Sequence, residues 1–226
     1  MADWTTKINT SVPNPARIYD YLLGGKDNFP ADREVAEQLL AIAPVAHDVV
    51  EDNRAFLRRA VRVLTREAGI RQFIDLGSGL PTQGNVHEIV QAIAPDARVV
   101  YVDNDAMVVT HGRALLAGDN TVAIQADLRE PEVILGHPEV RELIDFDQPV
   151  ALLLMAILHF IPDEQDPWGI VARFRRSCPL TRSSVGATVG GSLADRPGSG
   201  AGGCGRVMAH SLRSTGCTRQ TQLHPA

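Results

Sequence analysis

Three aspartates carry the chemistry that this sequence offers. Asp75, Asp103 and Asp127 each close an apolar run, after Gln72–Ile74, Arg98–Val102 and Thr121–Ala126. A carboxylate at neutral pH only accepts hydrogen bonds, so at the end of a strand it can hold a diol or an amine. Behind Asp75 the chain reads Gly77-Ser78-Gly79. Two glycines let the backbone approach a ligand, and a helix that starts just beyond points its amide hydrogens at it. In a doubly wound parallel sheet the three strand ends would lie side by side along the carboxyl edge.

The ligand can be narrowed by what is missing. A dinucleotide fingerprint wants a third glycine where this chain has Thr82. No GxxxxGK[ST] loop and no GxSxG elbow occurs. Asp103 suits a ribose diol, Asp127 an adenine amine, and Asp75 either holds the glycine turn or meets an amino group. No phosphate-binding cation accompanies them. Each aspartate alone also fits plain helix capping; the series of three points to an adenosine with a cationic tail, that is, S-adenosylmethionine (SAM). Transfer from its sulfonium is an in-line displacement, which needs placement and, for some oxygen or nitrogen acceptors, a base. The stretch Ala156-Ile157-Leu158-His159-Phe160 lacks an Asn-Pro-Pro-Tyr motif and offers His159 as the candidate base. A lone histidine fits a structural role as well, and His87 and His111 fall on helices.

Hydrophobic spacing supplies the elements that must position these groups. Helices are expected at Pro15–Leu23, at the segment capped by Asn28 and stopped by Pro44, and at Asp48–Ala68, where Asn53 falls on the apolar side. The α/β pattern then begins. Helix Asn85–Ile93 opens with the capping-box spacing of Asn85 and Glu88. Helix Asp105–Leu116 puts Met107, Val108, His111 and Leu115 on one face. Pro131–Ile144 reads as one or two short helices broken near Gly136, and Val150–Leu158 as a central strand, apolar on both faces. A last helix from Pro167 buries Ile170, Val171, Phe174 and Cys178.

The sequence also resembles an actinobacterial family of predicted SAM-dependent methyltransferases. The resemblance lies in Asn14 to Asn28 (NPARIYDYLLGGKDN), Asn53 to Ala60 (NRAFLRRA), the glycine stretch through Asn85-Val86-His87-Glu88, Val100 to Asp105, Gln125 to Arg129, His159 to Pro162 and Asp166 to Arg173. It covers roughly residues 10–176. It implies a Rossmann-like class I methyltransferase sheet with an N-terminal helical lid. By that resemblance Asp75, Gly77, Ser78 and Gly79 match the first SAM motif, Asp103 with Asn104 the ribose-binding acid, and Asp127 with Leu128 the adenine-binding pair. Arg17, Tyr21, Gly24, Gly25 and Lys26 look like a lid over the cofactor. The acceptor substrates of the family are unassigned; a small-molecule acceptor is expected.

The pattern breaks near Cys178. Residues from Pro179 are dominated by Gly, Ser, Thr, Arg and Ala, with Arg182, Arg196, Arg206, Arg213 and Arg219 against Asp195. The expected organisation is a lid at residues 1–45, a SAM-binding domain at 46–178 and a low-complexity, disordered tail at 179–226, compatible with an out-of-frame end. The fold is therefore expected to be incomplete on its C-terminal side, leaving Val150–Leu158 as an unpaired edge. That raises a second reading, a truncated or non-catalytic SAM-binding protein; an NAD-linked oxidoreductase is disfavoured by Thr82 and the third acid.

Composition sets the remaining bounds. With 226 residues, 44% of them hydrophobic, the chain can build one α/β domain and a few extra helices. A net charge of −5 does not suggest nucleic-acid binding by bulk electrostatics. No secretory leader is evident, and the longest apolar run is too short to span a bilayer. Cys178, Cys204 and Cys217 show neither CxxC spacing nor an even count, so no disulfide framework or metal site is indicated. A cytoplasmic protein without a membrane partner is expected.

Overall fold

A computed structural model describes residues 9–81, 84–115, 118 and 120–177, and the backbone of two later strands at 183–189 and 207–213. Three helices come first: α1 (Pro15–Leu22), α2 (Pro30–Ile42) and α3 (Ala46–Arg66). The alternating part runs β1 (Gln72–Leu76), α4 (Val86–Gln91), β2 (Arg98–Asp103), α5 (Ala106–Leu115), β3 (Thr121–Gln125), α6 (Pro131–Gly136), α7 (Pro138–Leu143), β4 (Val150–Met155) and α8 (Pro167–Ser177). Two more strands follow, β5 (Ser183–Val189) and β6 (Val207–Arg213). The sheet order is β3-β2-β1-β4-β5-β6. The first five of these are parallel and β6 is antiparallel to β5. The order turns back between β1 and β4, and this switch point is where open α/β sheets bind ligands.

Apolar alternation assigns each face. Phe73, Val99, Tyr101, Ala151 and Leu153 pack against Leu57, Val61 and Leu64 of α3 and Val86, Ile89 and Val90 of α4. The alternate positions Ile74, Leu76, Val100, Val102, Leu152 and Leu154 meet Ile134, Val140, Ile170, Val171 and Phe174 from α6 to α8. Every residue of β1 and of β4 is buried, which is why β4 reads as an unbroken apolar run and β1 carries Gln72 and Asp75 as buried polar groups. Helix α3 thus belongs to the sheet's covering layer as much as to the segment before it. Its Asn53 is buried and donates from Nδ2 to the Tyr19 hydroxyl at 2.8 Å, while that hydroxyl donates to the Val50 carbonyl at 3.2 Å. The amide on the apolar stripe is therefore a bridge between α3 and α1.

Three expectations are corrected. Strand β4 is not an unpaired edge: β5 runs parallel to it with Ala151 opposite Ser183 and Met155 opposite Ala187. A strand's free donors and acceptors favour pairing whatever the composition of the partner, and Ser183–Val189 is short and rich in residues that tolerate extension. The remainder of 179–226 lies outside the described residues, as do Cys178 and the Leu115 side chain. Among the described residues no helix follows α8. Second, β4 ends at Met155, because Ala156 takes a positive φ of 52° and turns the chain into a short 3-10 segment, Leu158–Phe160. Third, Asn28 does not cap α2. It is buried and donates to Asp20 Oδ2 at 2.9 Å and to the Gly25 carbonyl at 3.0 Å. The first turn of α2 is held instead by Asp32, whose Oδ2 accepts the Phe29 N–H at 2.8 Å.

Candidate cofactor site

The site begins at the glycine corner after β1. The N–H groups of Gly77 and Ser78 both donate to the Val102 carbonyl, at 2.8 and 3.1 Å, which clamps the turn onto β2. Gly77 has φ +72° and Gly79 φ +67°. A Cβ on Gly77 would stand 2.4 Å from Ile157 Cγ1, so glycine is required there for space as well as for conformation. Gly79 donates its N–H to Asp103 Oδ2 at 2.9 Å, and Asp105 donates its own to Asp103 Oδ1 at 3.0 Å. Burial pushes the Asp103 carboxyl up from its ordinary value, and these backbone donors work against that push.

Asp75 and Tyr101 are register partners on β1 and β2 and share the sheet face covered by α3. Together with Ser78, Gly79, Asp103 and Arg54 of α3 they line a pocket that Leu80, Val108 and Val109 close with apolar surface. Burial raises Asp75 to about 7; Arg54 opposes the rise and Asp103 adds to it. The Tyr101 hydroxyl accepts the His87 N–H at 2.9 Å and lies 2.9 Å from His87 Nδ1. Burial pushes this phenol up and His87 down.

The N-terminal segment docks on this corner. Ala16 and Phe29 pack against Leu80, Met107 and Val108, and Asn14 donates to the Asp105 carboxylate. Its turn is organised on buried Asp20, whose Oδ2 also accepts the Asp27 N–H at 2.9 Å. A Cβ on Gly25 would stand 2.0 Å from Asp20 Oδ1. His111 of α5 faces Asp27 at 3.9 Å.

The structure brings Asp75, Ser78, Gly79 and Asp103 into one pocket, while Gly77 sets the turn beside it and packs against Ile157. It places the other expected residues elsewhere. Asp127 stands at the carboxyl end of β3, but Arg129 Nε lies 2.9 Å from each of its oxygens and holds its carboxyl below the usual range. Leu128 packs on the opposite face, with the core of α6 to α8. Asn104 is exposed, and its carbonyl accepts Gln125 Nε2 at 3.1 Å. Arg17 is 3% exposed and pairs with Asp32 at 2.8 Å, so its charge joins α1 to α2. Tyr21 donates to Glu37. These contacts join the N-terminal helices to one another, and none of Arg17, Tyr21 and Gly25 lines the pocket. His159 is exposed on the segment after β4, its ring tilted against Phe160 with centroids 4.1 Å apart, and desolvation there lowers its pKa.

Two pocket residues were not singled out from the sequence. Tyr101 is legible in hindsight as the residue two before Asp103 on the same strand face. Arg54 follows Asn53 on the edge of the apolar stripe of α3, a place where a charge needs a reason.

Such a sheet, with a glycine corner at its switch point and an acid ending the next strand, defines a Rossmann-like methyltransferase. The chain belongs to the S-adenosyl methyltransferase family, whose profile matches residues 1–189. SAM is accordingly its cofactor. Similar solved structures include a DUF574 family protein from Streptomyces avermitilis MA-4680, at 44% identity and TM-score 0.76, over 80% of this chain and 70% of that one. Another is a candidate methyltransferase from Thermobifida fusca YX, at 47% identity and TM-score 0.75, over 83% of this chain and 70% of that one. No curated protein matches the sequence. Among the described residues no helix is long and apolar enough to cross a membrane.

Proposed function

We propose that the chain transfers the SAM methyl group to a small-molecule acceptor that approaches the carboxyl edge beside β4. The observation that carries this reading is the convergence of Asp75, Gly79 and Asp103 in one pocket at the switch point. SAM supplies an activated methyl whose bond to sulfur breaks as the bond to the acceptor forms. The chain's part is placement. Asp103 takes the ribose diol, since a carboxylate offers about four acceptor sites and the backbone uses two here. Asp75 faces the ammonium of the amino-acid end. Asp127 and Leu128 supply the adenine edge at the end of β3, where Arg129, which donates to both oxygens of Asp127, must turn away to free them. Ser78 and Gly79 present backbone to the cofactor, Asn104 follows the ribose acid, and Arg17, Tyr21 and Gly25 keep the cover closed over the site. His159, neutral because its pKa is lowered, removes the acceptor's proton when the acceptor is a hydroxyl or protonated amine.

Asp103→Ala is expected to weaken SAM binding at least ten-fold by calorimetry, since charge-assisted bonds worth roughly 1.5–3 kcal/mol each are lost. Unchanged affinity would refute the ribose assignment. His159→Gln is expected to leave SAM affinity within two-fold while lowering transfer about 10²-fold or more, the usual worth of a general base. Equal turnover in the two chains would remove His159 from the mechanism.

A second reading, SAM binding without turnover, draws on the position of His159, which is exposed and does not line the pocket. Incubation with methyl-labelled SAM and small-molecule fractions of a cell extract separates the two. Label in a product supports transfer; SAM binding with no label in any fraction supports the second reading.

A further inference from the structure

We propose that Phe160 and Trp168 form a stacking surface for the acceptor, and that the acceptor is a flat aromatic molecule bearing a hydroxyl group. This rests on the methyl-transfer reading given above. Among the described residues, the exposed large apolar side chains include two aromatic ones, Phe160 at 53% and Trp168 at 60%. Both stand on the short segment that joins β4 to α8 and enters its first turn. Rings left this open to water mark a recognition surface. Two side chains offer far less area than the roughly 1,200 Å² that a specific protein partner buries, which favours a small molecule.

The segment is tied to the edge where the cofactor binds. At its start Ile157 lies against Gly77 of the glycine corner. Further on, Arg129, which follows β3, donates to Gln165 Oε1 at 3.2 Å. The chain therefore follows the carboxyl edge from β4 toward β3. Its rings face outward because their neighbours are fixed inward. Leu158 and Ile161, on either side of His159 and Phe160, are 7% and 8% exposed. In the first turn of α8, Ile170 and Val171 enter the core, and Asp166 accepts the Gly169 N–H at 3.0 Å. The His159 ring is tilted against Phe160 with centroids 4.1 Å apart. A flat acceptor stacked on Phe160 thus brings its hydroxyl beside the candidate base. His159 takes the hydroxyl proton, an oxygen lone pair forms the bond to the methyl carbon, and the carbon–sulfur bond breaks with its electrons on sulfur. The products are an aryl methyl ether, S-adenosylhomocysteine and a protonated His159, which returns the proton to water.

The test uses 2-naphthol and its saturated counterpart, decahydro-2-naphthol, as probes, by calorimetry on the full chain with S-adenosylhomocysteine bound. The wild-type chain is expected to bind 2-naphthol about ten-fold more tightly, because stacking on two rings adds to the burial of similar area. Trp168→Leu, which keeps an apolar side chain without the ring, is expected to lose about three-fold or more of that preference, and Trp168→Phe to keep most of it. Both variants should hold S-adenosylhomocysteine within two-fold of wild type. Equal binding of the two probes by the wild-type chain, binding of neither, or an undiminished preference in Trp168→Leu overturns the stacking surface and leaves methyl transfer standing. Label from methyl-labelled SAM that appears only in extract products without an aromatic ring does the same. A chain that does not bind S-adenosylhomocysteine overturns the methyl-transfer reading and this proposal together.

Discussion

Gly77→Ala is expected to destabilise the chain by about 2–5 kcal/mol, read as a lower urea midpoint at unchanged slope. Two effects add. An L-residue in the left-handed region costs roughly 1–2 kcal/mol, and Gly77 sits at φ +72°. The new methyl would also meet Ile157, at 2.4 Å from Cγ1 and 3.0 Å from Cβ, and overpacking of this kind costs about 1–3 kcal/mol. Ile157 cannot retreat easily, because its Cβ as well as its chain end is in the way and Ala156 before it already holds a positive φ of 52°. Gly79→Ala is the internal control. Its φ is also positive, at +67°, but a Cβ there meets nothing within 4 Å, so only the first effect applies. Equal losses at the two positions would show that the Ile157 contact is not what fixes glycine at 77. SAM affinity should fall with Gly77→Ala too, because the same turn sets the Gly79 N–H on Asp103.

That turn illustrates what a sequence reveals and what it hides. Asp75, Gly77, Gly79 and Asp103 were legible because their spacing is local: a strand, an acid, a tight turn, then the next strand's acid. The buried helix faces followed from helical spacing, as the burial of Ile170, Val171 and Phe174 in α8 shows. The contact between Gly77 and Ile157 joins residues far apart in the chain, and no period reports it. Arg54 is hidden for the same reason, since its pocket is closed by β1 and β2 while it sits on α3. The buried pairing of Arg17 with Asp32 of the next helix was equally hidden, because no local spacing reports a counter-charge fifteen residues on. The pairing of β5 on β4 was invisible because backbone hydrogen bonds do not need apolar side chains, and composition reports only the latter.

Asp75 gives the prediction with the clearest sign. Its carboxyl titrates near 7 in the folded chain against an ordinary 3.8, because burial disfavours the charge more than Arg54 restores it. A folded-state pKa above the unfolded one means that the folded chain binds the extra proton between those values. The stabilisation is then complete below about pH 4 and is lost as pH rises toward about 7. The gap corresponds to about 4 kcal/mol at 1.36 kcal/mol for each tenfold change in proton affinity. Asp75→Asn, which mimics the neutral acid, should match the wild-type chain at pH 4 and exceed it by up to about 4 kcal/mol at pH 8. The difference between the two chains isolates Asp75 from Asp103, whose raised carboxyl tilts stability in the same direction, and from Asp127, whose lowered one opposes it. A variant less stable than wild type at pH 8 would mean that Arg54 fully compensates the buried charge. The ligand should act in the opposite sense to folding. An ammonium beside Asp75 favours the carboxylate, so binding of S-adenosylhomocysteine releases a proton and tightens as pH rises through 7. In Asp75→Asn the affinity should be lower and flat across that range. The residue would thus trade stability of the empty chain for affinity, and both slopes must vanish together if one carboxyl is responsible for both.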